Sequence, residues 1–310
     1  EKNAFLGNTT IERQYIENVT FLSSTETVPA TGTWDVSAQG DNSIIAWHTS
    51  RTAGDGTTIY KVYIASDDEI FANQNSYNLF NSIGYNENCT ATETITNLNL
   101  LNTSSVTCMN DMFRACGYNA MTSLDLGDFD TSNATNMMNM FSCLGYKSMT
   151  SFNIGTNFDT SKVTDMRWMF IDTGRTAMTS LDLGDKFDTS NVTSMDGMFW
   201  STGYIAMTSL DLGDKFDTSS VTNMNAMFQY IGHNAMINLD LGDKFDTSSV
   251  TNMNFMFHGT GYTAMTSLDL GDKFDTSKVT NMSHMFQNCG YTAMTSLDLG
   301  DKFNTSKVIT

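Results

Sequence analysis

The chain has 310 residues, 40% of them apolar, with one proline and a formal net charge of −18 from 34 acidic and 16 basic side chains. A surface so acidic repels phosphate backbones and anionic headgroups, which makes nucleic acid and charged membranes poor partners and leaves cations, basic proteins and neutral glycans open. No apolar run of about 18 residues occurs, so a membrane-spanning helix is excluded, and the lone Pro29 excludes a proline-rich stalk.

In chain order, residues 1–32 read as an extended N-terminal segment and 33–94 as a small β-rich cap. The stretch 95–310 reads as a repeat array that ends partway through a coil. The chain starts at Glu1 without an initiator methionine or apolar leader, as a processed secretory protein or an excised fragment does. Within the cap, 33–47 and 57–65 carry the β-branched and aromatic residues of strands.

The repeat dominates the rest. The stretch 177–190 returns nearly unchanged from Ala206, Ala235, Ala264 and Ala293. Its central leucine falls at Leu98, Leu124, Leu181, Leu210, Leu239, Leu268 and Leu297, with Phe152 in third place, and the later spacing is 29 residues. A Met-Phe marker keeps step at Phe113, Phe141, Phe170, Phe199, Phe228, Phe257 and Phe286. In each unit, Ser180-Leu181-Asp182-Leu183 alternates polar and apolar as a half-buried strand does. Gly184-Asp185-Lys186 then turns the chain, and Phe187 fills the corner. Met195, Met198 and Phe199 follow at the spacing of one helical or 3₁₀ turn. One unit cannot bury its apolar side alone, so stability comes from stacking. The expected fold is a mainly β, leucine-rich-repeat-type parallel β-solenoid of about eight coils.

The string Leu-Asp-Leu followed by Phe-Asp-Thr-Ser-Asn-Val-Thr-x-Met-x-x-Met-Phe, clearest from Phe187 to Phe199, resembles the BspA-like leucine-rich-repeat surface proteins and the mycoplasma-type lipoprotein repeats. The resemblance covers about two thirds of the chain, from near Ile95. Trp34-Asp35-Val36-Ser37 and Ile44-Ile45-Ala46-Trp47 also look like the segment that precedes such repeats. It implies an extracellular or cell-surface protein for adhesion, whose partner is a host or neighbouring-cell protein or glycan.

The candidate functional residues lie in columns that the stacking would create. Asp182, Asp211, Asp240 and Asp269 form one acidic row, and Asp185, Asp214, Asp243 and Asp272 form a second beside it. Carboxylates about 5 Å apart repel by about 0.8 kcal/mol in water. Either the adjacent lysines screen them or calcium, which suits hard oxygen ligands, lies between Asp182, Asp185, Asp211, Asp214, Asp240 and Asp243. Tyr118, Tyr146, Tyr204, Tyr262 and Tyr291 form another column, interrupted by Arg175 and His233. They are a packed row over a loop or, with Asp269 and Asp272, a strip for binding protein or glycan.

Cys89, Cys108, Cys116 and Cys143 cluster near the first repeats, as buried small residues or as disulfides tying the cap down. Of eight Asn-x-Ser/Thr sequons, Asn8 and Asn18 lie outside the repeats and are the better glycosylation candidates. No catalytic motif stands out, and no cofactor other than calcium is implied. The alternative to a binding protein is a subunit that stacks head to tail through its ends into a fibre or sheath.

Overall fold

The computed structural model describes residues 11–309. It is mainly β, with short parallel sheets that fit a repeat fold and no closed barrel. Among the described residues the only helical segments are two three-residue 3₁₀ turns, Arg13–Tyr15 and Leu98–Leu100. No helix among the described residues is long and apolar enough to cross a membrane.

The N-terminal part is a five-stranded sheet. Strands β1 (Ile16–Leu22), β2 (Thr33–Asp35), β3 (Ile45–Thr52), β4 (Thr58–Ala65) and, after β5 (Ile70–Phe71), the short β6 (Ile95–Thr96) lie in the order β2-β3-β4-β1-β6. The β3–β4 pair is antiparallel from Ile45↔Ala65 to Thr52↔Thr58, and Trp47 stacks on Tyr63 at 5.2 Å. β1 runs parallel to both β4 and β6. Its apolar side chains Ile16 and Val19 are fully buried, so part of the extended segment 1–32 is the centre of a sheet.

β1 also takes the place of a preceding repeat. Gly84 N–H donates to the Ile16 carbonyl at 2.7 Å and Asn86 N–H to Gln14 at 3.0 Å. Further along, Gly117 donates to Ile83 at 2.7 Å and Gly145 to Cys116 at 3.0 Å in the same way. The end of the stack is thus paired rather than left as an open edge.

Eight repeats follow one another in parallel register. Single-residue bridges link Asn75, Cys108, Asn136, Asp165, Ser194, Asn223, Asn252 and Asn281 in one unbroken column. Those residues serve below as position zero of repeats one to eight. The strand column shows the same register: β5 pairs with β7 (Leu101–Asn102), β8 (Ser123–Asp125) with β9 (Ser151–Asn153), β10 (Ser180–Asp182) with β11 (Ser209–Asp211), and β12 (Ser267–Asp269) with β13 (Ser296–Asp298). In-register stacking therefore reaches back to Ile70, inside the stretch 33–94.

The core is built of ladders. Phe170, Phe199, Phe228, Phe257 and Phe286 stack face to face at 5.4 to 5.6 Å, each pair worth about 0.5–1.5 kcal/mol beyond its burial. Phe158, Phe187 and Phe216 form a second ladder at 6.2 and 6.4 Å. Buried threonines tie repeats together between them: Thr189 Oγ1 donates to the Asp217 carbonyl and Thr218 Oγ1 to Asp246, each at 2.8 Å.

The Met-Phe segment is not a helical turn. Met198, Trp200 and Thr202 N–H groups bond three residues back, to Met195, Gly197 and Phe199. The alternate N–H groups, of Met195, Gly197, Phe199 and Ser201, cross to Asn223, Asn225, Met227 and Gln229 of the next repeat. A helix directs every N–H along its own axis. Here a left-handed residue at every fourth position turns the chain back, so half the donors face the neighbouring repeat. The result is a flat staircase of turns that stacks as a strand does.

Candidate functional site

Counting from the bridge residue, positions +1, +4, +5 and +8 of the staircase point inward: Met195, Met198, Phe199 and Thr202 are buried, as are their counterparts in most other repeats. Positions +2, +3, +6 and +7 face the other way. Positions +3 and +7 carry the left-handed residues in all eight repeats, with φ between 53° and 66°. Two of these sixteen are glycine, Gly197 and Gly259. The rest include Trp168, Asp172, Tyr230, Phe255 and His284, types that pay about 1–2 kcal/mol in that region.

These outward positions are also where the repeats differ from one another. Position +2 holds Met138, Arg167, Asp196, Asn225, Asn254 and Ser283 in repeats three to eight. Position +6 holds Ser142, Ile171, Trp200, Gln229, His258 and Gln287. The strand half, by contrast, repeats Ser-Leu-Asp-Leu-Gly-Asp-Lys-Phe-Asp almost without change. Large side chains on the turn face fit because neighbours are small. A Cβ on Gly197 would stand 2.5 Å from Trp168 Cδ1, and one on Gly259 would collide with the Tyr230 ring.

A cluster of rings occupies this face in repeats six to eight. Phe255 stacks on His284 at 4.8 Å, while His258 lies 4.8 Å from Tyr230 and 5.3 Å from Phe255. His258 Nδ1 is 3.2 Å from Gln229 Nε2 and its Nε2 is 3.5 Å from the Tyr230 hydroxyl. With Gln229 donating, Nδ1 is the acceptor of a neutral ring. Burial, helped by His284 and His233, holds the His258 pKa below its usual value.

The tyrosine column borders this face and is continuous. Tyr85 leans on Tyr118 at 4.8 Å with its ring tilted by 50°, and Tyr118 stacks on Tyr146 at 4.6 Å. The Arg175 guanidinium lies over Tyr146 at 5.7 Å and over Tyr204 at 4.1 Å, and Tyr204, His233, Tyr262 and Tyr291 continue at 4.4, 4.7 and 5.1 Å. Arg175 and His233 do not interrupt it, because a guanidinium and an imidazole are planar and stack as a phenol does. Tyr85 extends the column by one repeat beyond the sequence expectation. The geometry also alters what the column offers. Face-to-face rings spend their faces on each other, so a ligand meets edges and hydroxyls rather than a flat aromatic strip. Tyr291, 69% exposed, presents an open ring.

The acidic rows have a backbone role. Asp182 Oδ1 accepts Gly184 N–H at 2.8 Å, and Asp211, Asp240 and Asp269 do the same for Gly213, Gly242 and Gly271 at 2.9 Å. Each is an Asx turn that ends the strand. Asp185, Asp214, Asp243 and Asp272 are exposed beside their lysines. Among the described residues no group of three or more His, Cys, Asp or Glu stands close enough together to hold a metal ion. The inner acids feel the lysines of later repeats. Backbone and side-chain bonds from Ser277, with help from Lys302 and Lys278, hold Asp275 below the ordinary carboxylate range.

All five cysteines are free thiols, so none of the expected bridges forms. Cys116 occupies inward position +8 and is fully buried, whereas Cys143 occupies outward position +7, and the two face opposite sides of the chain. Burial pushes the Cys89 thiol up to about 11 and the Cys289 thiol up to about 12. Asn18 is buried in β1, where its Nδ2 donates to the Glu93 carbonyl at 2.8 Å and to Thr96 Oγ1 at 2.9 Å. A glycan on that nitrogen replaces one of its two amide hydrogens, so one of these bonds is given up and the buried side chain has to come to the surface. Asn8 lies outside the described residues.

No curated protein and no solved structure matches the chain. One family does, described as "Mycoplasma protein of unknown function, DUF285", and it is found twice, over residues 82–209 and 204–310. Those stretches contain the staircase, the Phe ladders and the tyrosine column from Tyr85 onward, and together they cover well over half of the sequence. The chain therefore belongs to the DUF285 family of mycoplasma-associated repeats.

Proposed function

We propose that this chain is an extracellular or cell-surface binding protein without catalysis, a BspA-like leucine-rich-repeat solenoid that engages a protein or glycan of a host or neighbouring cell through its turn face. The carrying observation is that the later repeats diverge at outward positions +2, +3, +6 and +7 while inward positions +1, +4 and +5 and the strand half stay nearly constant. The divergent residues include Trp168, Trp200, Tyr230, Arg167, Asn225 and Asn254, the types that anchor and adapt recognition surfaces. A rigid backbone presents them, because the staircase is bonded to both neighbouring repeats.

The test is binding of labelled protein to host cells by flow cytometry. The variant Trp200→Ser/Tyr230→Ser/Phe255→Asn uses residues that other repeats already carry at those positions: Ser142, Ser201 and Asn139. It is expected to fold and to lose binding at least tenfold, while Asp182→Asn/Asp211→Asn/Asp240→Asn on the strand half keeps it. The reverse pattern overturns the proposal.

Head-to-tail assembly into a fibre has less support. It requires the N-terminal end of the stack to receive another repeat, and there Gly84 and Asn86 already bond to Ile16 and Gln14. Light scattering during size-exclusion chromatography tests it, since a concentration-independent monomer rules it out.

A further inference from the structure

The turn face of repeats five to eight differs in charge from the rest of the molecule. Residues 196–205, 225–234, 254–263 and 283–292 contain one carboxylate, Asp196, and no lysine or arginine. The strand halves at 180–188, 209–217, 238–246 and 267–275 each carry three aspartates and a lysine, as at Asp182, Asp185, Lys186 and Asp188, and the chain as a whole is at −18. That carboxylate accepts Asn225 Nδ2 on Oδ1 at 2.7 Å and keeps its charge. Apart from this single charge, what faces outward is neutral: side-chain amides and rings.

The amides are aligned. Asn254 Nδ2 donates to Asn225 Oδ1 at 3.0 Å, so each amide in the row keeps one further donor or acceptor. Trp200 is 36% exposed, and among the described residues no ring stacks on it.

This chemistry selects a class of ligand. A phosphate, sulfate or sialate has no cation to meet here and is repelled by the rest of the surface. A basic partner finds one carboxylate in the whole window, Asp196, already hydrogen-bonded on one oxygen. A neutral polyhydroxylated ligand fits, with hydroxyls bonding to an amide row and C–H faces packing on an open indole.

Resting on the binding role proposed above, we infer that the turn face of repeats five to eight is a neutral-glycan site, in which Trp200 supplies the platform and the Asn225–Asn254 row the hydroxyl contacts.

The experiment is a printed panel of neutral, sialylated and sulfated oligosaccharides, followed by titration calorimetry of the full chain with the strongest neutral binder. Neutral glycans are expected to bind and anionic ones not to. Trp200→Ser is expected to weaken the neutral binder at least tenfold with an unchanged melting temperature. Asn254→Arg, which places at +2 the side chain that Arg167 already supplies there in repeat four, is expected to recruit anionic glycans and weaken neutral ones. Preferential binding of heparin or sialyllactose by the unaltered protein overturns the assignment, as does neutral binding that ignores Trp200→Ser. Cell binding separates this inference from the role on which it rests. If the triple turn-face variant loses cell binding but free neutral glycans do not compete with the unaltered protein, the glycan assignment fails alone. If the triple variant binds cells normally, both fail.

Discussion

The strand half and the turn half of each repeat do the same structural work by different means. Between repeats four and five the strand half is a three-residue ladder, Ser180↔Ser209 to Asp182↔Asp211. Between repeats five and six the turn half supplies four backbone bonds, from Met195, Gly197, Phe199 and Ser201. Both halves are bonded from repeat to repeat, yet it is the turn half whose outward residues vary. Variation there does not signal looseness. The backbone bonds and the inward Met-Phe ladder hold the turn half together, so its outward side chains can differ between repeats even where, as at Gln229 and His258, they are buried. On the strand half the outward aspartate caps the following glycine N–H and cannot drift.

The most severe way to break this comparison lies within the turn half itself. Gly203 ends the staircase at position +9 with φ 51°, and a Cβ there collides with that of Met207. Gly203→Ala is expected to cost about 3 kcal/mol or more, combining left-handed strain with overpacking. Ser201→Ala, two residues away and equally left-handed, is expected to change stability by less than about 1 kcal/mol, because Ala115 and its repeat show that alanine is accepted at +7. Urea denaturation of both variants measures the contrast. Equal losses would mean that the outward positions are as constrained as the inward ones.

A change of opposite sign sharpens the same point. Phe255 is a bulky residue at φ 56°, where asparagine is better tolerated and where Asn78 and Asn139 already stand. Phe255→Asn is expected to raise stability by about 0.5–1 kcal/mol while removing a ring from the cluster with His258 and His284. A clear loss of stability would show that the Phe255 ring carries packing duty and that the turn face is less free than its variability implies.

Much of this architecture could be read from the residues, and the failures share a cause. The leucine alternation and the Phe markers fix strand, register and core because they report which side chains go inward. The staircase defeats the same logic. Inward positions +1, +4, +5 and +8 match one helix turn as well as they match a chain of turns, and what separates the two is a left-handed residue at +3 and +7. Trp168, Tyr230 or Phe255 carry no signal of that conformation, and Gly197, Gly259 and scattered asparagines such as Asn78 and Asn139 only hint at it. The tyrosine column was hidden by residue names: Arg175 and His233 break the series of tyrosines but not the series of planes. The acidic rows carry a backbone role that the residues also spell. Spacing placed the carboxylates together, while Asp-x-Gly, as in Asp182-Leu183-Gly184, already spelled the backbone donor each would accept.

The smallest expected effect concerns whether the turn face is independent of the column beside it. Asp172 occupies position +7 at φ 55°, with its carboxylate 3.3 Å from Arg175, the guanidinium stacked between Tyr146 and Tyr204. Burial pushes its pKa above the ordinary value and Arg175 only partly opposes this. A pKa raised by folding means that the folded state favours the protonated carboxyl, so the benefit is present at low pH and lost as pH rises through the folded-state value. Asp172→Asn keeps the shape, suits the left-handed backbone and removes the buried charge. It is expected to raise the melting temperature modestly at pH 7 and to leave it unchanged near pH 3, where both side chains are neutral. The pH dependence of the difference isolates this carboxyl from every other titrating group. A variant less stable at pH 7 would mean that the ion pair fixes Arg175 within the stack, and one outward residue of the turn face would then be part of the spine rather than free to vary.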